Sequence, residues 1–540
     1  MKKILITLAA FLSAALSFAQ STAFQLGKWT EIHNAILKEL SSSYVDTLPV
    51  DRIEKAGIAA MLESLDPYTV YVAEEEEEDF QLMIDKSYGG IGSTIYKPDT
   101  DGNVIITEPY ANSPAARSGL VCGDEITAID GETTHGFTSQ ECSDRMKGKP
   151  GTQVVLTIKK VRGGDTVDVP IVRERIHLPD IEYAGMLDDT TGYILQSGFT
   201  DNVSADLKNA ILRLKGEGMK KLVYDLRGNG GGILQEAVKI VSLFVPKGSI
   251  VVTAKGLADN SFMEYKTIYE PVVDEDMPVV VLVDSGSASA SEIVSGALQD
   301  YDRATIIGTR TFGKGLVQSI RPLPYNGQLK LTTAKYYTPS GRCVQAIDYS
   351  HRNEDGSVGA IPDSLTSEFK TAHGRIVRDG GGITPDVVIE SKGYSRLTYS
   401  LVVGGIIEQF ALEYVRKHES IPAVEDFFLT DGEYQDFVEF AREKEFDYRS
   451  SSKTLLDQMK TVLKEEGLAG DVSSELDALE SALDMDKVTF LNLKKEEIIP
   501  FIEESIAVRY YYQEAGVQVQ IRYDEQLKKA LQSPLISLSL

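Results

Sequence analysis

The chain has 540 residues, too many for one compact domain and enough for about three or four. Hydrophobic residues make up 42% of it and charged residues 25%, a globular composition that excludes collagen-like and wholly disordered chains. The formal net charge of −26 argues against nucleic acid as a partner, because phosphate contacts require clustered Lys and Arg. The cysteines, Cys122, Cys142 and Cys343, are too few and too widely spaced for a zinc ribbon or a disulfide framework.

The N-terminus has the pattern of a secretory signal peptide. Two lysines precede an apolar run over residues 4–18, and the small residues Ser17 and Ala19 stand at positions −3 and −1 of a cleavage site. This run is shorter than the roughly 20 residues that a membrane-spanning helix needs, so an uncleaved anchor is the weaker interpretation. We predict a signal peptide over residues 1–19, cleaved near Ala19. The mature chain is expected to be exported without a membrane span, to the periplasm or, as the alternative, to the extracellular space.

Residues 20–84 are predicted to form a helical N-terminal region. Apolar residues recur at helix spacing from Ile32 onwards. The pair Asp66-Pro67 then ends the second helix, because proline disfavours helical backbone in the residue before it. The glutamates at 74–78 are interpreted as a solvated helix start or loop, not as a metal site.

Short strands and glycine turns replace the helical pattern over residues 85–176. This segment resembles a PDZ domain, and four blocks in the same order carry the resemblance: residues 88–92, 113–120, 123–126 and 129–131. The resemblance implies a module that binds protein C-termini. The backbone N–H groups of Gly89, Gly90, Ile91 and Gly92 would hold the terminal carboxylate of a peptide that adds to a sheet edge.

Residues 177–390 alternate between strand and helix patterns, which predicts an α/β domain with a mostly parallel sheet. The continuous apolar run at 278–283 is typical of a strand buried on both faces. Residues 391–540 are predicted to form an acidic, mainly helical C-terminal region without repeats.

Two glycine-rich motifs in the α/β domain look like nucleotide-binding loops and fail at one residue each. The glycine loop, residues 228–232, has Ile233 where the dinucleotide fingerprint requires a third glycine. The motif at 308–315 has Gly315 where a phosphate-binding loop requires Ser or Thr, and a strand-like sequence follows it. What remains at the glycine loop is an anion site built from the N–H groups of a helix N-terminus.

Four serines lie between the buried strand and the next helix: Ser285, Ser287, Ser289 and Ser291. A hydroxyl at such a turn is a candidate nucleophile, with the following N–H groups facing a developing oxyanion. Helix capping is the competing interpretation of each serine. The pattern of residues alone does not choose among the four.

A nucleophilic serine needs a base, and none of the six histidines is well supported by its neighbours. Lys314 is the alternative, because burial favours the neutral form of a lysine and glycines and apolar residues flank this one. If this segment is a strand, Gln318 projects on the same face as Lys314 and holds its amine. The competing interpretation is an exposed lysine in a glycine turn.

Over residues 45–390 the chain resembles the carboxyl-terminal processing proteases, also called tail-specific proteases. The resemblance is carried by the PDZ blocks and by residues 65–69, 225–232, 286–292, 313–318, 337–342 and 380–386. It implies a Ser–Lys dyad with Ser289 as nucleophile and Lys314 as base, and it places Gln318 where the family orients the lysine. The backbone N–H of Ala290, together with that of Gly231 or Gly230, would hold the oxyanion.

The resemblance also implies the fold class and the absence of any metal or cofactor. The expected architecture is a crotonase-like α/β protease core with an inserted PDZ domain and helical N- and C-terminal regions. The PDZ domain would deliver substrates with apolar C-terminal tails to the core, or gate its activity. Two alternatives stay open: a non-catalytic PDZ scaffold, and a crotonase-related acyl-CoA enzyme, which export and the PDZ insertion disfavour. Homodimerisation through the terminal helices is a further hypothesis.

Overall fold

A computed structural model describes most of the chain and divides it into two compact units, Met1–Tyr71 and Val72–Leu540. The predicted signal peptide and residues 98–100 lie outside the described residues. The described residues are 22–77, 80, 86–97, 101–161, 163–257, 261–353, 355–391, 393–446, 451–483 and 485–532.

The first unit contains two helices, Thr22–Ser43 and Val50–Glu63. The second helix ends just before Asp66, whose carboxylate accepts the backbone N–H groups of residues 68 and 69 at 2.8 Å. The predicted stop is therefore confirmed. The helical prediction was wrong for Val70–Val72, which forms a short strand before the 3₁₀ turn Glu74–Glu76.

The segment predicted to be a PDZ domain is a small six-stranded β-sheet with two short helices, and its strands Ser87–Gly90 and Glu174–His177 form a separate two-stranded sheet. Alternate apolar side chains of its strands, such as Ile106 and Leu156, are fully buried in one core. Ser93–Tyr96 is an edge strand of this sheet. The strands are Ser87–Gly90, Ser93–Tyr96, Val104–Pro109, Glu125–Ile129, Glu132–Thr133, Gln153–Lys159, Thr166–Val172 and Glu174–His177, and the helices are Pro114–Arg117 and Ser139–Met146.

A six-stranded sheet, here called the core sheet, forms the centre of the second unit. Its first pair is antiparallel and the following four pairs are parallel, which confirms the predicted parallel α/β pattern. In spatial order its strands are Ile181–Met186, Thr191–Gln196, Lys221–Asp225, Val279–Val283, Thr305–Gly308 and Val387–Val388. The crossover helices are Val203–Gly216, Leu234–Val241 and Ala290–Asp300.

Both faces of the core sheet are covered, as the apolar run at 278–283 predicts. Val281 and Val283 face the crossover helices, whereas Val280 and Leu282 face the opposite side. There they meet Val517, Leu527 and Ala530 near the C-terminus of the chain. The helix Glu525–Gln532 therefore packs on the core sheet, and burial of Leu527 alone stabilises the fold by about 1.5–3 kcal/mol.

A second sheet lies beside the core sheet and carries the segment that follows Lys314. Leu316–Pro322 pairs antiparallel with Gln328–Tyr337. Gln328–Tyr337 also pairs with Ile250–Gly256, and Ile250–Gly256 pairs in turn with Met263–Lys266. Two small hairpins follow: Ile347–Arg352 with Val358–Ala360, and Glu368–Lys370 with Ile376–Arg378. Asp363–Leu365 is a 3₁₀ turn.

The C-terminal region is helical, as predicted, and has its own apolar core, which includes Phe410, Tyr434, Phe437 and Ile502. The longest helix bends at Tyr512, whose φ is 66°. None of the helices in the described residues is long and apolar enough to cross a bilayer. The helices are Arg396–Val403, Ile406–Lys417, Asp431–Arg442, Ser451–Glu465, Ser473–Leu483, Lys487–Leu493, Lys495–Tyr523 and Glu525–Gln532, with a 3₁₀ turn at Val424–Asp426.

Candidate active site

Ser289 lies in the turn between the buried strand Val279–Val283 and the helix Ala290–Asp300. Its φ of 55° and ψ of −110° are rare for a residue with a side chain. Such strain costs about 1–3 kcal/mol, persists only where surrounding structure enforces it, and is concentrated at functional sites. The side chain is partly exposed, so the turn presents a hydroxyl at the end of a rigid strand.

The other serines of the turn are held by the fold or lie outside the strained position. Ser287 and Ser291 are fully buried. Their hydroxyls donate to the carbonyl oxygens of Leu226 and Asn229, each at 2.8 Å. Ser285 is exposed, at the start of the turn. The structure thus separates four serines that the sequence pattern leaves equivalent, and Ser289 is the partly exposed one with strained backbone.

Glu292 links the Ser289 turn to the loop that contains Lys314. Its carboxylate is fully buried. Oε1 accepts the Thr311 hydroxyl and the Gly313 N–H, both at 2.7 Å. Oε2 accepts the backbone N–H groups of Ser289 and Lys314, both at 2.8 Å. Four donors around two oxygens fit an ionised carboxylate, which only accepts hydrogen bonds.

Burial disfavours the charged form of the Glu292 carboxylate. Desolvation raises the pKa of Glu292 above its ordinary value, and the hydrogen bonds from Thr311, Lys314, Ser289 and Gly313 oppose that rise. In the sequence, Glu292 has only the pattern of a helix cap, an acid three residues after a serine. The helix cap is present, through the Ser289 N–H, but the other three donors come from a loop at least 19 residues further along the chain.

The predicted geometry of Lys314 and Gln318 was wrong in one respect. Lys314 is partly exposed and precedes the strand, which begins at Leu316, and the strand register shifts between Val317 and Gln318. Strand alternation therefore does not place the two side chains on one face. The Gln318 amide donates to the Thr332 hydroxyl at 3.2 Å. The role of Gln318 as the residue that orients the lysine stays a prediction.

The glycine loop lies directly against the Ser289 turn. Gly231 has a φ of 95°, and a Cβ placed there would lie 2.6 Å from the Ala288 carbonyl oxygen and 2.8 Å from the Ala290 nitrogen. Only glycine permits this approach. Ala290 is the first residue of its helix, where backbone N–H groups lack intrahelical partners. Two of the predicted oxyanion donors, Gly231 and Ala290, are thus neighbours in space.

In this conformation the Gly231 N–H donates to Asn229 Oδ1 at 2.9 Å. It must change partner to face an oxyanion, whereas Gly230 is exposed beside it. Asn229 is itself fully buried and donates to the Gln196 carbonyl oxygen at 2.8 Å. Its own carbonyl oxygen accepts the Ala288 N–H at 3.0 Å. Asn229 therefore fixes the loop to the turn through contacts that no local sequence pattern indicates.

The residues predicted to bind a peptide carboxylate start in a strand and end at the sheet edge. Gly89 and Gly90 belong to Ser87–Gly90, which pairs with Glu174–His177. Ile91 is buried, and Gly92 has a φ of 74° and leads into the edge strand Ser93–Tyr96. The helix Ser139–Met146 contacts this edge strand. A strand edge beside a helix is the arrangement in which a peptide adds to a sheet.

Two of the histidines that the structure describes lie against other side chains. His373 lies 3.6 Å from Asp302, and the His418 ring stacks on Tyr414 at 3.9 Å. Within the described ranges, no group of three or more His, Cys, Asp or Glu is arranged to hold a metal ion.

Comparison with known families matches three parts of the chain. Residues 190–351 match peptidase family S41, residues 105–160 match the PDZ domain, and residues 397–533 match a family described as "Probable PDZ-protease, C-terminal helical domain". The first match contains Ser289 and Lys314, and the second covers the middle of the small sheet but not its edge strand Ser93–Tyr96.

Among curated relatives, the carboxy-terminal-processing protease of Bartonella bacilliformis is 40% identical over 335 residues, 61% of this chain and 74% of that protein. A "Probable CtpA-like serine protease" of Staphylococcus aureus (strain bovine RF122) is 36% identical over 311 residues, 57% of this chain and 61% of that protein. The solved photosystem II D1 C-terminal processing protease is 24% identical, with 67% of this chain and 86% of that chain covered and a TM-score of 0.37.

Proposed function

The chain belongs to the carboxy-terminal-processing proteases of peptidase family S41, and from this premise we propose that it is an exported endopeptidase that recognises substrates by their C-terminal tails and cleaves them with Ser289 and Lys314. The family makes it a serine-type peptidase with a PDZ domain and a helical C-terminal domain. One observation supports the choice of residues above all others. The backbone N–H groups of Ser289 and Lys314 bind the same Glu292 oxygen, which keeps the two residues together.

The proposed mechanism is acyl transfer through a covalent intermediate. Neutral Lys314 takes the proton from the Ser289 hydroxyl as Oγ attacks the scissile carbonyl carbon. Lys314 then gives that proton to the leaving amine as the peptide bond breaks. Water, deprotonated by the same lysine, attacks the acyl-enzyme, and Ser289 recovers its proton when the new C-terminus leaves.

The negative charge of each tetrahedral intermediate would fall on an oxygen near the N-terminus of the helix Ala290–Asp300. The Ala290 N–H and an N–H of Gly230 or Gly231 are the proposed donors. Removing one such donor costs about 2.7–4 kcal/mol of transition-state stabilisation in comparable enzymes. For Gly231 this requires release from Asn229, so substrate binding and a small loop movement would be coupled.

Substrate selection is proposed to lie in the PDZ domain. A tail with an apolar C-terminus would add to the edge strand Ser93–Tyr96, with its carboxylate at the N–H groups of Gly89, Gly90, Ile91 and Gly92. Export to the periplasm, cleavage of the signal peptide near Ala19 and a crotonase-like relation of the core belong to the same proposal. The parallel order of the core sheet is compatible with that relation.

The test compares degradation of an unstructured protein with an apolar C-terminal tail by wild type, Ser289→Ala and Lys314→Ala. Ser285→Ala is the matched control, because Ser285 is an exposed serine of the same turn. We expect cleavage by wild type and by the control and its loss in both dyad variants. A substrate with an amidated C-terminus should be cleaved more slowly, since the terminal charge is removed.

Activity that survives in Lys314→Ala would show that another group is the base. If wild type binds the tail but cleaves nothing, the non-catalytic scaffold is the better account.

A further inference from the structure

The C-terminal helical region reaches into the site at the start of the last helix, Glu525–Gln532. We propose that Asp524 and Gln526 are positioning residues for the glycine loop: they bind Arg227 and thereby hold the loop against the Ser289 turn. This inference rests on the proposed function, and it gives the acidic C-terminal region a role that sequence analysis left open.

Arg227 follows the core-sheet strand Lys221–Asp225 and immediately precedes the glycine loop. Its guanidinium binds the buried Asp225 carboxylate through Nε at 3.0 Å to both oxygens. The two terminal nitrogens reach the C-terminal region. One donates to Gln526 Oε1 at 2.9 Å and the other to Asp524 Oδ2 at 2.5 Å. The guanidinium is thus held by acceptors from two regions of the chain.

Two carboxylates beside Arg227 offset the cost of burying its positive charge. Desolvation works against the guanidinium charge, but Asp225 and then Asp524 more than offset it, so the pKa of Arg227 is raised and the group stays charged. Asp225 has a further partner, the Tyr193 hydroxyl, at 2.7 Å. With Asp524 removed, one carboxylate would face the arginine where two do now. The side chain would then have fewer fixed acceptors to define its direction.

From Arg227 the constraint passes to the nucleophile through backbone contacts. The next residue, Gly228, donates its N–H to Asp284 Oδ1 at 2.9 Å. Asn229 then binds Ala288 and Ser291 through its carbonyl oxygen. The loop therefore has fixed contacts at its start, at Arg227, and along the turn that contains Ser289. Loosening the first contact should loosen the alignment of the N–H groups proposed to bind the oxyanion.

Asp524 serves two separate purposes, one with each oxygen. Oδ2 accepts from Arg227, whereas Oδ1 accepts the Leu527 N–H at 2.8 Å and so caps the last helix. Asparagine caps helices about as well as aspartate. Asp524→Asn therefore retains the cap and removes the charge that binds Arg227, so the two roles can be tested apart. Gln526→Met removes the second contact, along with the bond from the Gln526 amide to the Ile389 carbonyl oxygen.

The experiment measures kcat and KM on the tailed substrate for the full-length chain and the variants Asp524→Asn, Gln526→Met and Asp524→Glu. The matched control is Glu525→Gln, which makes the same change of charge one residue away, at a carboxylate that is 58% exposed and pairs with Lys528. We expect kcat to fall about 10- to 100-fold in Asp524→Asn with KM within about twofold, a misalignment effect. Asp524→Glu should restore part of the activity, and the control should behave as wild type.

A second readout does not depend on activity. Hydrogen exchange of the backbone amides at 226–232 should be faster in Asp524→Asn than in wild type, with unchanged exchange in the PDZ sheet. Unchanged kcat or unchanged exchange in this variant would overturn the inference, as would a loss of activity that only follows the fraction of unfolded protein. If wild type cleaves nothing, the proposed function fails. The hydrogen-exchange rates of wild type and Asp524→Asn still decide whether Asp524 positions the glycine loop.

Discussion

Ser289 and Lys314 donate their backbone N–H groups to one atom, Oε2 of Glu292, each at 2.8 Å. Ser289 belongs to a turn of the core sheet, and Lys314 belongs to the loop that leads into the second sheet. This buried carboxylate therefore joins the two segments, together with the hydrogen bond from the Phe312 N–H to the Ser287 carbonyl oxygen at 3.0 Å. Glu292 contacts both segments through their backbone N–H groups, and its side chain is fully buried.

Replacing Glu292 by glutamine should separate the two segments. An amide offers one acceptor oxygen and brings two donors, so at least two of the four N–H and O–H groups lose their partner. An unsatisfied buried donor costs about 1–3 kcal/mol, and misalignment of the dyad should lower kcat by about 100-fold. The matched control is Glu503→Gln, a buried carboxylate of the helical region that accepts from Leu429 and Arg522. It should lose stability but retain kcat, and an equal loss of kcat in both variants would contradict this role.

The pH dependence of kcat should report the same carboxylate. Because the proposed mechanism requires a neutral Lys314, log kcat should rise with pH with a slope of about one on the acid side, and the slope should steepen to about two where Glu292 becomes protonated. The pH at which the slope changes from one to two, here called the second break, should lie above the ordinary glutamate pKa of 4.5, since burial raises the pKa of Glu292. In Glu292→Gln the residual activity should keep a slope of about one through this range.

The free energy of unfolding should depend on pH in the opposite sense over the range in which Glu292 titrates. A pKa that is raised in the folded state means that the contribution of Glu292 to the free energy of unfolding is full below the unfolded-state pKa and decreases as pH rises through the folded-state pKa. Acidification through the second break should therefore reduce activity without a loss of stability from this group. A break at or below 4.5 would show that the carboxylate is not destabilised by burial.

Local sequence patterns predicted the helices and strands around the site better than the hydrogen bonds between residues that are distant in the sequence. The strand Val279–Val283 and the helix after it follow from an apolar run and a 3.6-residue period. Neither pattern distinguishes Ser289 from Ser291, because the difference arises from a contact with Asn229, 62 residues away. The pair Arg227–Asp524 joins residues 297 positions apart, so no local pattern predicts it. A family resemblance pointed to Ser289 directly, since it carries information about the fold that spacing does not.

The PDZ segment should be removable without breaking the core. Ser87 and His177 are paired across adjacent antiparallel strands, so a short glycine turn in place of residues 88–176 would connect ends that already lie side by side. The shortened chain would lose the contacts of Glu108 with Gln513 and of Glu125 with Arg416, which join the PDZ sheet to the C-terminal helices. We expect it to cleave tailed and amidated substrates at the same reduced rate. Thermal unfolding of the shortened chain checks that the core still folds, and a retained preference for the free tail would place recognition outside the PDZ domain.

The motif at 337–342 is explained by a buried ion pair, and this gives a prediction for stability. Arg342 and Asp300 are each 1% exposed and lie 2.8 Å apart, and Asp300 also accepts the Ser340 N–H. The pair ties this motif to the end of the helix that begins after Ser289. Arg342→Met would leave the Asp300 carboxylate buried without its charge partner, which should destabilise the fold by about 3–5 kcal/mol.

The matched control for this prediction is Arg378→Met. Arg378 and Glu368 form an exposed pair, with 54% of each side chain accessible, so its loss should cost about 0–1 kcal/mol. Denaturant unfolding of both variants measures the difference. In the double variant Arg342→Met with Asp300→Leu much of the lost stability should return, because no buried charge remains unpaired. Equal, small effects of the two arginine substitutions would mean that water reaches Asp300 and that the motif is retained for another reason.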